Sequence, residues 1–263
     1  MRVPQSVSAQ PLLGRAIYLG HIDYALAWRL QLELVERRVR GEIPDTVLLC
    51  QHLDVITVGR RQRAQANILD ARFPVFEVER GGDATYHGPG QLVGYPILLL
   101  RPGTSDEDRW GERDLHAYLR GLEEALCLLC AQLGVSATRK EGYTGVWTAD
   151  QARKLASLGI AVRRWVTFHG FALNVTTELS RFHTLNPCGL AAQVMTSLAA
   201  EGGQLPGAPE PLSVESLLQP LLQHLGSVLS RQFALISLQD SELPELLQKL
   251  RSAPQSGDSA PIG

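Results

Sequence analysis

Residues 145–175 read GVWTADQARKLASLGIAVRRWVTFHGFALNV. Strand-forming residues recur there in short alternating runs, broken at Ala149-Asp150 and again at Arg163-Arg164, a pattern that predicts antiparallel strands joined by tight turns. Working outward, Thr46–Cys50, Val55–Val58, Pro74–Val78 and the longer apolar stretch Gln91–Leu100 are further strand candidates. Helical spacing governs Ile22–Arg40, where Leu26, Leu30 and Leu34 share a face, and Asp114–Leu133, which carries Leu115, Leu119, Leu122, Leu126 and Leu129 up to a stop signal at Gly134. Residues 200–211 are rich in Gly and Pro and predict a loop, followed by a helix from about Ser213 to about Ser230. Strands interspersed with helices, part of them antiparallel, give an α/β (α+β) class with a mixed β-sheet flanked by helices. The expected organisation is a flexible N-terminal segment over 1–16, a single catalytic domain over 17–251 and a disordered polar tail over 252–263.

The composition narrows the function classes. At 263 residues with 44% hydrophobic and 20% charged residues, the chain can bury a full-sized core and is not a disordered or fibrous protein. A formal charge of −2 supplies no general basic field for nucleic acid. The longest apolar runs fall far short of the ~20 residues that span a bilayer, so no membrane role is expected. Four cysteines, Cys50, Cys127, Cys130 and Cys188, are too few for a disulfide scaffold and suit a reducing, cytoplasmic setting. Residues 1–22 hold Arg2 and Arg15 and no acidic residue, a faint likeness to an organellar presequence. Only Lys140, Lys154 and Lys249 among the 25 basic residues are lysines, so each merits individual attention.

Three places hold residues suited to chemistry. Residues 80–91, RGGDATYHGPGQ, crowd four glycines and a proline between two predicted strands, which predicts a loop that turns sharply or approaches a ligand closely. It lacks the Gly-Lys-Ser/Thr ending of a phosphate-binding loop and opens no helix as a dinucleotide fingerprint would. Cys188 stands in the turn-forming context Asn186-Pro187-Cys188-Gly189, where a thiol can meet a ligand, whereas Cys127 and Cys130 fall within the leucine-rich helix and read as core. A thiol is a good nucleophile only as thiolate, and its candidate partners are His87, His169, His183 and Lys154. The local pattern alone reads Lys154 as a surface residue on an edge strand.

Taken together and in order, RGGDATYHGPGQLVGYPI (80–97), GYTGVW (142–147), KLASLGI (154–160), FHGFALNV (168–175) and NPCGL (186–190) resemble the octanoyltransferases of lipoate biosynthesis. The resemblance runs from about Leu19 to Leu198. It implies the fold shared with biotin and lipoate protein ligases. It also implies that Cys188 is an acyl-thioester nucleophile and that Lys154 lowers the thiol's pKa and acts as general acid/base. The family's substrate-contacting segments fall on Arg80, Gly81, Gly82, Asp83, Ala84, Thr85, Tyr86 and His87, on Ser157, Leu158 and Gly159, and on Gly170, Phe171 and Ala172. Asp83, Ala84 and Leu190 depart from the residues common in the family.

The implied reaction takes an octanoyl group from octanoyl-acyl carrier protein to a lysine of a lipoyl domain, in 2-oxoacid dehydrogenase complexes or the glycine cleavage H protein, with no metal, ATP or other cofactor. An ATP-dependent lipoate or biotin ligase is a rival, but the glycine- and arginine-rich adenylate loop of biotin ligases is missing. A second rival is a cysteine hydrolase using Cys188 with His169 or His183, and a third is a non-catalytic acyl-binding protein.

Overall fold

The computed structural model describes residues 11–62, 64–102, 113–207 and 211–253. Among these residues one eight-stranded sheet carries the architecture, with strand order β11-β1-β2-β6-β10-β9-β8-β7. Its members are β1 (Leu12–Ile22), β2 (Asp45–His52), β6 (Gln91–Ile97), β7 (Ala137–Lys140), β8 (Tyr143–Thr148), β9 (Lys154–Arg163), β10 (Val166–Asn174) and β11 (Arg231–Ile236). β1 runs parallel to both β2 and β11, and every other pairing in this sheet is antiparallel. The predicted mixed sheet and antiparallel 145–175 unit are therefore present. The β9–β10 turn places Arg164 (φ 49°) and Trp165 (φ 65°) in the left-handed region, the two-residue geometry whose twist suits a hairpin. A second sheet, ordered β4-β3-β5, packs β3 (Val55–Val58) between β4 (Val75–Glu77) and β5 (Thr85–His87).

Helices cover both faces of the large sheet. α2 (Leu115–Gln132) and α3 (Leu218–Val228) lay Leu122, Leu126, Leu221 and Leu225 against Val47, Leu49 and Leu173. α1 (Tyr24–Val39) and α4 (Leu243–Ser252) lay Leu26, Leu30, Leu34, Leu243 and Leu247 against Leu48, Val93 and Ala172. Alternate residues of β2 thus enter opposite cores, which is why its sequence reads as a continuous apolar run. Both long helices start on an aspartate: Asp23 accepts from the Leu26 N–H at 3.1 Å, and Asp114 accepts from the His116 and Ala117 N–H groups, satisfying donors the first turn leaves open.

Several expectations need correction. Of the flexible segment expected over 1–16, residues 12–16 instead form the start of β1, paired with β11 throughout and with β2 from Gly14, and residues 1–10 lie outside the described residues. Residues 80–91 are not loop throughout, since Thr85–His87 forms β5 against β3. The helix expected from Ser213 is a short 3-10 turn at Glu215–Leu217 leading into α3. β9 is an interior strand, so Lys154 is neither at an edge nor on the surface; it is 2% exposed. Of the tail expected over 252–263, Ser252 ends α4 and residues 254–263 lie outside the described residues.

Candidate active site

The site begins with missing side chains. Ser157 pairs with Ala172 and Gly159 with Gly170 across β9 and β10, so a two-by-two block of small residues lies across the two strands. Side chains two residues apart on a strand share a face, and the block therefore leaves one hollow rather than scattered gaps. Val93 and Tyr95 of β6 extend the floor, Tyr24 of α1 and His169 close the sides, and Arg80, Gly82 and Asp83 with Thr85 and His87 of β5 form the roof. Leu158 and Phe171 also border the space. With its mouth and the adjoining solvent space included the hollow measures about 460 Å³. The roof closes tightly because Gly159 has no side chain: a β-carbon there would stand 2.7 Å from the Gly81 carbonyl oxygen and 3.0 Å from Arg80 Cδ. The Gly81 N–H donates to the Ile160 carbonyl at 3.0 Å, pinning roof to floor.

Period-two alternation divides residues 84–87. Thr85 and His87 face the hollow, while Ala84 and Tyr86 turn away into a cluster with Phe182, Leu185 and Met195. Tyr86 donates its hydroxyl hydrogen to Asp54 at 2.5 Å. Gly81, Ala84 and Tyr86, expected as substrate contacts, thus do not line the hollow; they support those that do. Tyr24, Val93 and Tyr95 line it without standing out in the sequence, because nothing in their local pattern separates them from core.

A hydrogen-bond chain sets the state of His87. The buried Arg80 donates to the Thr57 carbonyl (2.8 Å) and to Thr57 Oγ1 (2.9 Å), and Thr57 Oγ1 lies 3.1 Å from His87 Nε2. His87 Nδ1 lies 2.8 Å from Gln91 Oε1, whose amide nitrogen donates to the Tyr86 carbonyl and to Asn174 Oδ1. Assigned from this network, the proton sits on Nδ1 and Nε2 accepts from threonine. Burial, reinforced by His52 and Arg80, pushes the His87 pKa down to about 3. So weakly basic a ring positions its neighbours and is no base for a thiol. His52 behaves alike, with Nδ1 at 2.9 Å from the Ile22 carbonyl, Nε2 at 2.6 Å from the Tyr95 hydroxyl, and a pKa lowered by burial to about 4.

His169 adopts φ 54°, its N–H donates to Gln31 Oε1 (2.8 Å), and its Nε2 lies 3.3 Å from Glu79. Burial depresses its pKa although Glu79 pulls the other way. His183 is exposed. Two hydroxyls that border the hollow, Thr85 Oγ1 and Ser157 Oγ, are buried without a hydrogen-bond partner among the described residues. Buried polar atoms are ordinarily paired, so both are suited to meet a polar group of a bound molecule.

Lys154 opens β9, three residues before the floor begins. Its carbonyl accepts from the Thr196 N–H at 3.0 Å, beside a bridge between Lys154 and Met195, and its ammonium lies 5.5 Å from the centre of the Trp147 ring. Cys188 lies in a 3-10 turn, Pro187–Gly189; its side chain is outside the described part of the structure. That turn is fastened just before Cys188 by the Asn186 N–H donating to the Asn67 carbonyl (2.7 Å), while the Asn67 amide donates to Asp83 (2.7 Å). After Cys188 the chain returns to the Met195 bridge with Lys154. The segment carrying Cys188 is therefore tied to the cavity roof at one end and to the strand of Lys154 at the other. Cys130 of α2 is buried in the leucine core and the half-buried Cys127 packs against it, and burial raises their pKa values to about 12 and about 11.

Comparison with known proteins places this architecture. A family profile described as the lipoyl protein ligase A/B catalytic domain matches residues 23–226. An octanoyltransferase of Geobacter metallireducens is 48% identical over 74% of this chain and 84% of its own, and one of Koribacter versatilis is 40% identical over 88% of this chain and 90% of its own. Among solved structures, lipoate-protein ligase A bound with ATP superposes with a TM-score of 0.64 at 15% identity, covering 92% of this chain and 95% of that one. A putative lipoate protein ligase from Thermoplasma acidophilum gives 0.64 at 16% identity over 90% and 93%. At such identities the structures speak for the fold, and the sequence relatives at 40% and above speak for the activity class, that of an acyltransferase. The chain belongs to the octanoyltransferase family, within the lipoyl protein ligase A/B catalytic domain.

Proposed function

We propose that the protein transfers an octanoyl group from octanoyl-acyl carrier protein to a specific lysine of lipoyl-domain proteins, through a thioester on Cys188. The acceptors are the lipoyl domains of 2-oxoacid dehydrogenase complexes and the glycine cleavage H protein, the setting is the cytoplasm, and one catalytic unit extends from β1 to α4. The observation that carries this reading is a buried lysine, Lys154, on the same strand as the small-residue floor of an open hollow.

The Cys188 thiolate attacks the donor's carbonyl carbon. A new C–S bond forms, the carrier's C–S bond breaks, and the carrier leaves as a thiol by taking from Lys154 the proton that Cys188 gave up. One thioester replaces another, so the step is nearly balanced. The acceptor's amine then attacks the acyl-enzyme, its C–N bond forms as the Cys188 C–S bond breaks, and the amine's surplus proton passes through Lys154 to the departing sulfur. Amide formation from a thioester runs downhill and needs no ATP. Lys154 suits this relay because an ammonium exchanges its proton where a guanidinium does not. The octanoyl tail has about seven apolar carbons, and burying them at about 0.8 kcal/mol each contributes roughly 6 kcal/mol to binding. Thr85 Oγ1 and Ser157 Oγ supply hydrogen bonds to the polar end of the acyl group.

The test is transfer without ATP from octanoyl-acyl carrier protein to a purified lipoyl domain. Wild-type enzyme is expected to modify one lysine, and Cys188→Ser to lose essentially all transfer, since an alkoxide is far harder to generate than a thiolate. Release of free octanoate with an unmodified lipoyl domain would identify a hydrolase instead, and an ATP requirement would identify a ligase.

A further inference from the structure

Two residues outside the matched motif roles decide where the Lys154 ammonium can sit. Gly145 of β8 has φ 135°, a backbone conformation that residues other than glycine rarely adopt. A β-carbon there would stand 2.5 Å from Lys154 Cε, 2.6 Å from the Ala156 carbonyl oxygen and 3.2 Å from Lys154 Nζ. The β8–β9 ladder shifts register between Val146 and Trp147, at the point where Trp147 pairs with Lys154. The lysine thus occupies a slot with Gly145 on one side and the buried Trp147 ring on the other.

The backbone at this slot is held from another layer of the fold. The Gly145 N–H donates to Glu123 Oε1 at 2.8 Å. Glu123 lies within α2, fully buried, and its other oxygen accepts from Arg120 at 2.5 Å. Burying a carboxylate is costly unless it is paired and hydrogen-bonded, and a leucine-rich helix facing a core gives no packing reason for one. Besides Arg120 of its own helix, this carboxylate accepts, among the described residues, from the backbone N–H that shapes the lysine's slot.

We propose that Gly145 and Glu123 are positioning residues for Lys154: the glycine leaves the space the ammonium occupies, and the carboxylate clamps the strand so that the ammonium keeps its aim. The inference rests on the reading of Lys154 as the proton-transfer residue. Neither residue touches the reacting atoms, so each acts through Lys154.

Three variants test this: Glu123→Ala, which removes the acceptor; Glu123→Gln, which keeps a carbonyl oxygen able to accept from Gly145; and Gly145→Ala, which leaves the clamp and fills the slot. The measurements are the rate of octanoyl transfer per acylated site, the donor KM, and the pH profile of thiol alkylation, each on enzyme shown by thermal unfolding to be folded at the assay temperature. Misplacing a reacting group by an ångström costs up to about a hundredfold, so Glu123→Ala and Gly145→Ala are expected to slow transfer per acylated site by about tenfold or more, with donor KM nearly unchanged and the alkylation profile shifted. Glu123→Gln is expected to recover most of the loss. A merely structural role would reduce the folded fraction and leave the rate per acylated site intact. Wild-type rates per acylated site in Gly145→Ala or in folded Glu123→Ala would overturn the inference, as would a Glu123→Gln variant as slow as Glu123→Ala. If the wild-type enzyme itself took no octanoyl group from the donor, the parent reading would fall first.

Discussion

Lys154 shows how far a single residue's setting can depart from its neighbours in sequence. Its scarcity draws attention, but the flanking Arg153 and the alternating run after it read as an edge strand, and it is buried with Trp147 of β8 paired on one side and the Met195 bridge on the other. Pairing partners lie outside any local window, which is why local pattern could not place it. The same holds for His87, which the loop's composition singles out as a candidate but whose hydrogen-bonded state depends on Thr57, Gln91 and Arg80, brought together by β3, β6 and the glycine-rich loop. Lys154→Arg is expected to keep a positive charge yet lose most acyl transfer, by about a hundredfold or more, the span general acid/base catalysis commonly supplies. Single-turnover transfer from pre-acylated enzyme measures it. A rate near that of wild type would make Lys154 a fixed charge and not a proton carrier.

At the scale of elements, the strands β8 to β10 were legible because alternation and turn residues repeat locally, whereas β1 and β11 were not. β1 carries Gly14 and Gly20 among its apolar residues, and β11 alternates only weakly, so each depends on its neighbours for its place. Part of what holds β11 is polar: Arg231 donates to Asp45 of β2 at 2.7 Å, and Arg38 of α1 donates to the same carboxylate. Within β9 and β10 the segments Ser157–Gly159 and Gly170–Ala172 could be marked as substrate-contacting by resemblance, but their shared meaning, a paired block of small residues, exists only once the register is known. This block predicts how chain length is read. Ala172→Leu adds three carbons over the floor and displaces about two or three buried methylenes of the tail, worth roughly 2 kcal/mol. The ratio of kcat/KM for octanoyl over butanoyl donors should fall by about thirtyfold, measured by competition between the two thioesters. An unchanged ratio would place the tail elsewhere.

Across the whole molecule, the class of fold was legible from interspersed strands and helices, while the eight-strand order and the two-faced core were not, because a sheet joining β11 to β1 is closed by contacts far apart in the chain. That core also sets a pH dependence. An unfolded histidine titrates near 6.5, whereas burial lowers His52 to about 4 and His87 to about 3. From about pH 6.5 down to about pH 4 the unfolded chain therefore binds up to two protons that the folded chain refuses, and stability falls with falling pH; above about 6.5 these groups contribute no slope. The expected loss between pH 7 and pH 5 is on the order of 2–4 kcal/mol, read from urea unfolding at each pH. A flat profile across that window would contradict the buried, neutral state of both rings.

The central claim is that an octanoyl group rests on Cys188 between donor and acceptor. It is tested most directly by intact-mass analysis of the enzyme mixed with octanoyl-acyl carrier protein, followed by peptide mapping and by addition of a lipoyl domain. The expected result is a gain of one octanoyl group mapped to Cys188, lost from the enzyme as the lipoyl domain gains it. Transfer to the lipoyl domain at a normal rate with no acylated enzyme, or acylation mapped to another residue, would contradict it.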